Sequence, residues 1–154
     1  MTAEANDPEA AARQAAMATL AEAPPAELAR LWDAAGLPTE AQALRGPETG
    51  LVTLRGRIGG GGAPFNLGEA TVTRATVRLP GGTVGHAYAL GRNKEKARLS
   101  AIADALWQMP ERRPEVEAKV LTPLRAAAAS ADEKRRAETA ATKVDFFTLV
   151  RGED

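Results

Sequence analysis

The chain has 154 residues, enough for one ordinary domain that removes roughly two thirds of its unfolded surface from water without a disulfide or metal staple. Its 20 lysines and arginines balance its 20 aspartates and glutamates, which excludes a broad attraction to nucleic acid or to an anionic membrane and confines any anion site to a local cluster. The absence of cysteine removes a thiolate nucleophile, a cysteine-bound zinc and a cysteine-ligated iron-sulfur cluster.

The opening Met1-Thr2-Ala3-Glu4 lacks the basic and apolar runs of a signal peptide, and no stretch approaches the roughly twenty apolar residues of a membrane span. A cytoplasmic location is expected. Residues 1–12 are small and polar and read as a flexible tail; residues 13–154 read as a single domain. Ala16, Met17, Leu20 and Ala21 form a helical stripe that stops at Pro24-Pro25, and Leu28, Leu31, Trp32 and Ala35 form a second, closed by Gly36 and Pro38. The two helices are expected to pack as a pair.

From Glu48 the period changes to two. Val52, Leu54 and Ile58 alternate with Thr53, Arg55 and Arg57, which predicts a strand with an apolar face and a cationic one, broken by Gly59-Gly60-Gly61-Gly62. A second strand is predicted from Glu69 to Leu79 and a third from Thr83 to Leu90, joined as a hairpin by Pro80-Gly81-Gly82. Asn93 then caps a helix whose core stripe is Leu99, Ile102, Leu106 and Met109, placed across the sheet. Pro114 to Ala141 reads as helix interrupted near Thr122-Pro123. The closing run with Phe146, Phe147, Leu149 and Val150 suits a short buried strand or a docking tail. The predicted fold is α+β, an antiparallel sheet with flanking helices.

Few residues offer chemistry. The glycine run lets backbone amides approach a phosphate, but it lacks the Lys-Ser/Thr ending of a P-loop and the spacing of a dinucleotide fingerprint, and a strand connection fits it better. Arg55 with Arg57, and Arg74 with Arg78, each project from one strand face; with Arg92 at a helix start they give Arg57, Arg74 and Arg92 as candidate phosphate-binding residues, against the plainer reading of solvated arginines. His86 is the only histidine and has no Ser or Asp at a spacing that suggests a triad. Glu48 and Glu69 form an acid-base pair only if the fold unites them. No catalytic residue and no metal ligand is assigned.

Glu48-Thr49-Gly50-Leu51, Arg57-Ile58-Gly59-Gly60, Phe65 to Thr71, Thr73-Arg74, Gly91-Arg92-Asn93-Lys94 and Lys143 through Gly152 follow one another in an order that resembles the G subunit of the phosphonate carbon-phosphorus lyase system. The Val144-Asp145-Phe146-Phe147-Thr148 to Arg151-Gly152 stretch is its most specific part. Two departures stand out: Asn93 replaces the family's Asp, and the glycine run is longer. Asn caps a helix as Asp does, so the exchange bears on charge at that point and leaves the fold intact.

The resemblance implies a cytoplasmic complex of G, H, I and J subunits that replaces adenine of MgATP by a phosphonate at ribose C1. In it the I subunit is associated with nucleosidase chemistry and the J subunit with iron-sulfur, S-adenosylmethionine-dependent cleavage. The chain is then an accessory subunit with no cofactor of its own, inactive alone, binding the I subunit and contacting J through apolar surface and the Asp145 to Val150 segment, with Asp145, Phe146, Phe147 and Leu149 as interface residues and H as a further partner in the complex. An independent nucleotide- or phosphate-processing enzyme is the alternative, as is a structural homodimer held by apolar faces that one chain cannot bury.

Overall fold

A computed structural model describes residues 7–142. The first helix, α1 (Pro8–Glu22), starts earlier than the apolar stripe indicates, because Asp7 accepts a hydrogen bond from the Glu9 amide and Pro8 supplies a pre-set first turn. It therefore takes in residues 8–12, which the sequence pattern assigns to a tail. Helix α2 (Pro25–Ala35) ends at Gly36, which adopts the left-handed conformation (φ 63°) expected of a closing glycine.

These helices are not a packed pair. α1 lies against the later helix α3 (Lys94–Trp107) and the third strand, while α2 lies against α3 and the turn that follows α4 (Arg113–Val116). Their stripes are each spent on α3 and the element beside it rather than on one another.

The sheet is antiparallel, in the order β1 (Gln42–Arg57), β2 (Pro64–Arg78), β3 (Val84–Leu90). The turn between β2 and β3 uses Gly82 at φ 91° and is closed by the Leu79 amide on the Thr83 carbonyl at 2.9 Å. The fold class is α+β, with helices on one face of a three-stranded sheet.

Helix α3 is the centre of the molecule. Asn93 caps it, its side chain accepting from the Lys96 amide at 2.7 Å. Leu99, Ile102 and Leu106 are buried as the stripe requires, but Ala97, Ala101, Ala103 and Ala105 are buried too, so the helix is enclosed on nearly every side. Alanine makes this possible, because it lets the sheet, α1, α2 and α4 approach closely without leaving voids. Lys96 is also buried. Its ammonium donates to the Ala21 carbonyl at 2.6 Å, tying down the end of α1, and burial holds its pKa below the ordinary lysine value.

The C-terminal helical region bears an interruption where Pro123 demands one. Between α4 and α5 (Thr122–Ala141) lies a π turn at Glu117–Leu121, in which the Thr122 amide reaches back to Glu117. The widened turn accommodates the ring of a proline that cannot donate.

Candidate functional site

β1 and β2 are each about three times the usual strand length and pair over almost their full extent. β3 stops early, with Leu90 opposite Val72. Beyond that point β1 and β2 continue alone as a two-stranded arm running to Arg57 and Pro64. Its strand form rests on the ladder between β1 and β2 more than on composition, since only Val52, Thr53 and Thr71 of the arm are β-branched.

No residue of β1 is buried. Val52, Leu54 and Ile58 do alternate with polar neighbours, yet the apolar positions are not covered: Leu51, Ile58 and Leu67 are 63%, 77% and 66% exposed, with Leu54 and Phe65 also exposed. A two-stranded ribbon is marginally stable in water, and large exposed apolar side chains, Leu51 on one face and Leu54 with Phe65 on the other, mark an interaction surface.

The glycine run forms the tip of this arm. A short 3-10 turn at Ile58–Gly60 places Gly59 at φ 61°, and the Gly62 amide closes on the Ile58 carbonyl at 3.1 Å. A side chain at Gly62 would meet that carbonyl at 2.9 Å. The run is thus a strand connection, with Arg57 donating to the Gly62 carbonyl at 3.2 Å.

The structure does not bring the three candidate phosphate-binding arginines together. Arg57 lies opposite Pro64, ten residues from Arg74 on the same strand, which is roughly 33 Å at ordinary strand rise. Arg74 is paired with Glu48 at 2.6 Å, and Glu48 also takes Arg45 at 2.9 Å. Arg92 sits in the exposed link from β3 to α3. Glu48 itself faces Arg74, whereas Glu69 lies opposite Thr53, five residues along and on the other face, so the two carboxylates form no acid-base pair.

His86 projects from the uncovered face, its Nδ1 3.2 Å from the Thr76 hydroxyl. No aspartate or glutamate is among its side-chain partners within the described residues. Asp145, Phe146, Phe147 and Leu149 lie outside them. Because Arg74 and Glu48 are both about half exposed, Arg74→Ala should change stability by less than about 1 kcal/mol, measurable by denaturant unfolding.

Sequence reasoning misses the buried polar anchor of the fold. Asp104, on α3, accepts two hydrogen bonds from Arg13, both 2.8 Å, and one from the His86 backbone amide at 2.9 Å. The pair raises the Arg13 pKa through those hydrogen bonds. Arg13 stands 91 positions from Asp104, and no local pattern signals such a contact.

An α+β domain with dispersed charges, Arg74 among those already paired, and a long uncovered arm defines a class of chain that offers surfaces to other proteins. A model of the family "Phosphonate metabolism protein PhnG" matches residues 11–152. The chain is also 56% identical over 150 residues, 97% of its own length and 95% of the relative's, to the alpha-D-ribose 1-methylphosphonate 5-triphosphate synthase subunit PhnG of Rhizobium meliloti (strain 1021). It belongs to the PhnG family of phosphonate metabolism proteins.

Proposed function

We propose that the chain is an accessory subunit of a ribose 1-phosphonate 5-triphosphate synthase, supporting transfer of a phosphonate to ribose C1 of MgATP while companion subunits carry the reaction. The observation that carries this reading is the arm: an entire strand without a buried residue, presenting Leu51, Leu54, Ile58, Phe65 and Leu67 to whatever docks there. The name of the Rhizobium relative, a synthase subunit, supplies the reaction.

The partner proposed for the arm is the I subunit, with J and H joining the same assembly in the cytoplasm. Covering even two of the leucines would contribute about 3 to 6 kcal/mol before the costs of association, the scale on which a specific complex is held. The charges support an accessory role, since Glu48 already occupies Arg45 and Arg74. MgATP then binds elsewhere in the assembly. The isolated chain, its arm uncovered, is proposed to self-associate as a homodimer through the same residues.

Co-expression with an affinity-tagged I subunit tests the reading. Retention of this chain in a defined ratio, and adenine release from MgATP and a phosphonate that needs both proteins, are the expected results. Failure of the chain to co-purify, or adenine release by the chain alone, would overturn it.

A further inference from the structure

The outer edge of β3 has a second, smaller opening. The Leu79–Thr83 and Thr71–Gly91 hydrogen bonds fix the ladder, so odd-numbered residues of β3 bond to β2 and even-numbered ones turn their backbone groups outward. At one end this outward row is closed by side chains: the Val84 carbonyl accepts from Gln108 at 2.8 Å, and the His86 amide donates to Asp104. The next four groups, the His86 carbonyl, the Tyr88 amide and carbonyl and the Leu90 amide, have no partner among the described residues.

Beneath those groups lies a cavity of about 300 Å³. Met17, Ala18 and Ala21 of α1 form one wall, Ala87 and Ala89 of β3 another, and Ser100 of α3 belongs to its lining. Ser100 is 2% exposed, and its hydroxyl has no hydrogen-bond partner among the described residues. A buried hydroxyl without a partner is costly, which marks the cavity as a place completed from outside.

We infer that an extended segment of a partner subunit adds to this edge as a fourth strand, pairing with His86, Tyr88 and Leu90 and setting one side chain into the cavity against Ser100. The spacing of the open groups specifies an extended polypeptide, because alternate donors and acceptors in a row match only another strand. The inward side chain is apolar and of about valine or leucine size, or a threonine whose hydroxyl meets Ser100.

The position of α1 favours a single strand over a second copy of this chain. α3 touches both β2 and β3, whereas α1 lies against β3 and α3 on the outer side. α1 therefore underlies the place where a fourth strand would run, and two copies joined edge to edge would bring two such helices into one space. The free edge of β1 is the weaker candidate, since Pro47, a register irregularity and Arg45, Arg55 and Arg57 guard it.

This inference rests on membership of the synthase complex, and its test separates the two. Amide exchange is followed in the full chain, alone and in the complex purified with the I subunit. The Tyr88 and Leu90 amides are expected to exchange freely in the isolated chain and at least about tenfold more slowly in the complex. Tyr88→Pro deletes the donor at an edge position that tolerates proline, while Tyr88→Val keeps it; the proline variant should bind the partner about tenfold more weakly than the valine variant. Ala18→Trp, which fills the cavity from an exposed position, should weaken binding similarly should the proline variant fail to fold.

A complex that forms while both amides exchange as in the free chain overturns the fourth strand and leaves the synthase reading intact. Absence of any complex with the wild-type chain overturns that reading instead. Slow exchange already present in the isolated chain, whether or not it depends on concentration, assigns the edge to the chain's own end or to a second copy and also overturns the inference.

Discussion

Leu67→Asp is expected to abolish retention of the chain by its partner subunits while leaving the isolated domain as stable as the wild type, within about 0.5 kcal/mol. Leu67 is an extra residue on β2, placed between the Leu54–Gly68 and Arg55–Asn66 pairs, and it is 66% exposed. Its side chain therefore contributes little to folding. In a docked arm it lies against the partner, where burying a leucine is worth about 1.5 to 3 kcal/mol and an unpaired carboxylate adds a desolvation cost of similar size or greater. The sum exceeds about 3 kcal/mol, a loss of more than a hundredfold in affinity. Ile58→Asp at the arm tip should act in the same direction, and Leu67→Ala should fall between. Co-purification for affinity and thermal unfolding for stability form the pair of measurements. An aspartate variant that is still fully retained would remove the arm from the interface.

The same arm shows where the sequence is informative and where it stops. Asn93, Gly36 and the Pro80-Gly81-Gly82 turn act through their own backbone geometry, so each is legible locally and each is found in place. The period-two pattern of Val52 to Ile58 is also real, but a period states which side is apolar and not whether anything lies on it. Gln42 to Pro47 escapes detection as strand because Gly46 and Pro47 disfavour one; pairing with β2, through two register irregularities, carries the strand through them. The alanines of α3 are silent for a related reason: alanine suits both a solvated helix and one enclosed on all sides, and only the neighbours decide. Long-range polar contacts such as Arg13 with Asp104 leave no local trace at all. Of the candidate site residues, Arg74 is legible as a strand-face cation, but its partner Glu48 comes from across the sheet, which no spacing along the chain reveals.

Asp104→Ala is expected to cost about 3 to 5 kcal/mol, the range for removing one member of a buried charge pair, and to lower the melting temperature by roughly 10 °C or more. The carboxylate holds three groups from two other elements, and its loss leaves the His86 amide and the Arg13 guanidinium without their acceptor. Asp104→Asn retains an acceptor for His86 and should lose less. The contact depends in turn on Gly85: a Cβ at that position would collide with the Ala101 carbonyl oxygen and come within 2.6 Å of the Ala105 amide nitrogen. Backbone cannot yield as a flexible side chain does, so Gly85→Ala pushes α3 off β3 and should cost about 3 kcal/mol or more. Because that displacement also draws Asp104 away from His86, the two changes share one loss. The double variant should be more stable than the sum of the single effects by about 1 kcal/mol or more, within the range for residues in one network. Strict additivity in denaturant unfolding would mean that Asp104 reaches β3 independently of the close approach that Gly85 permits.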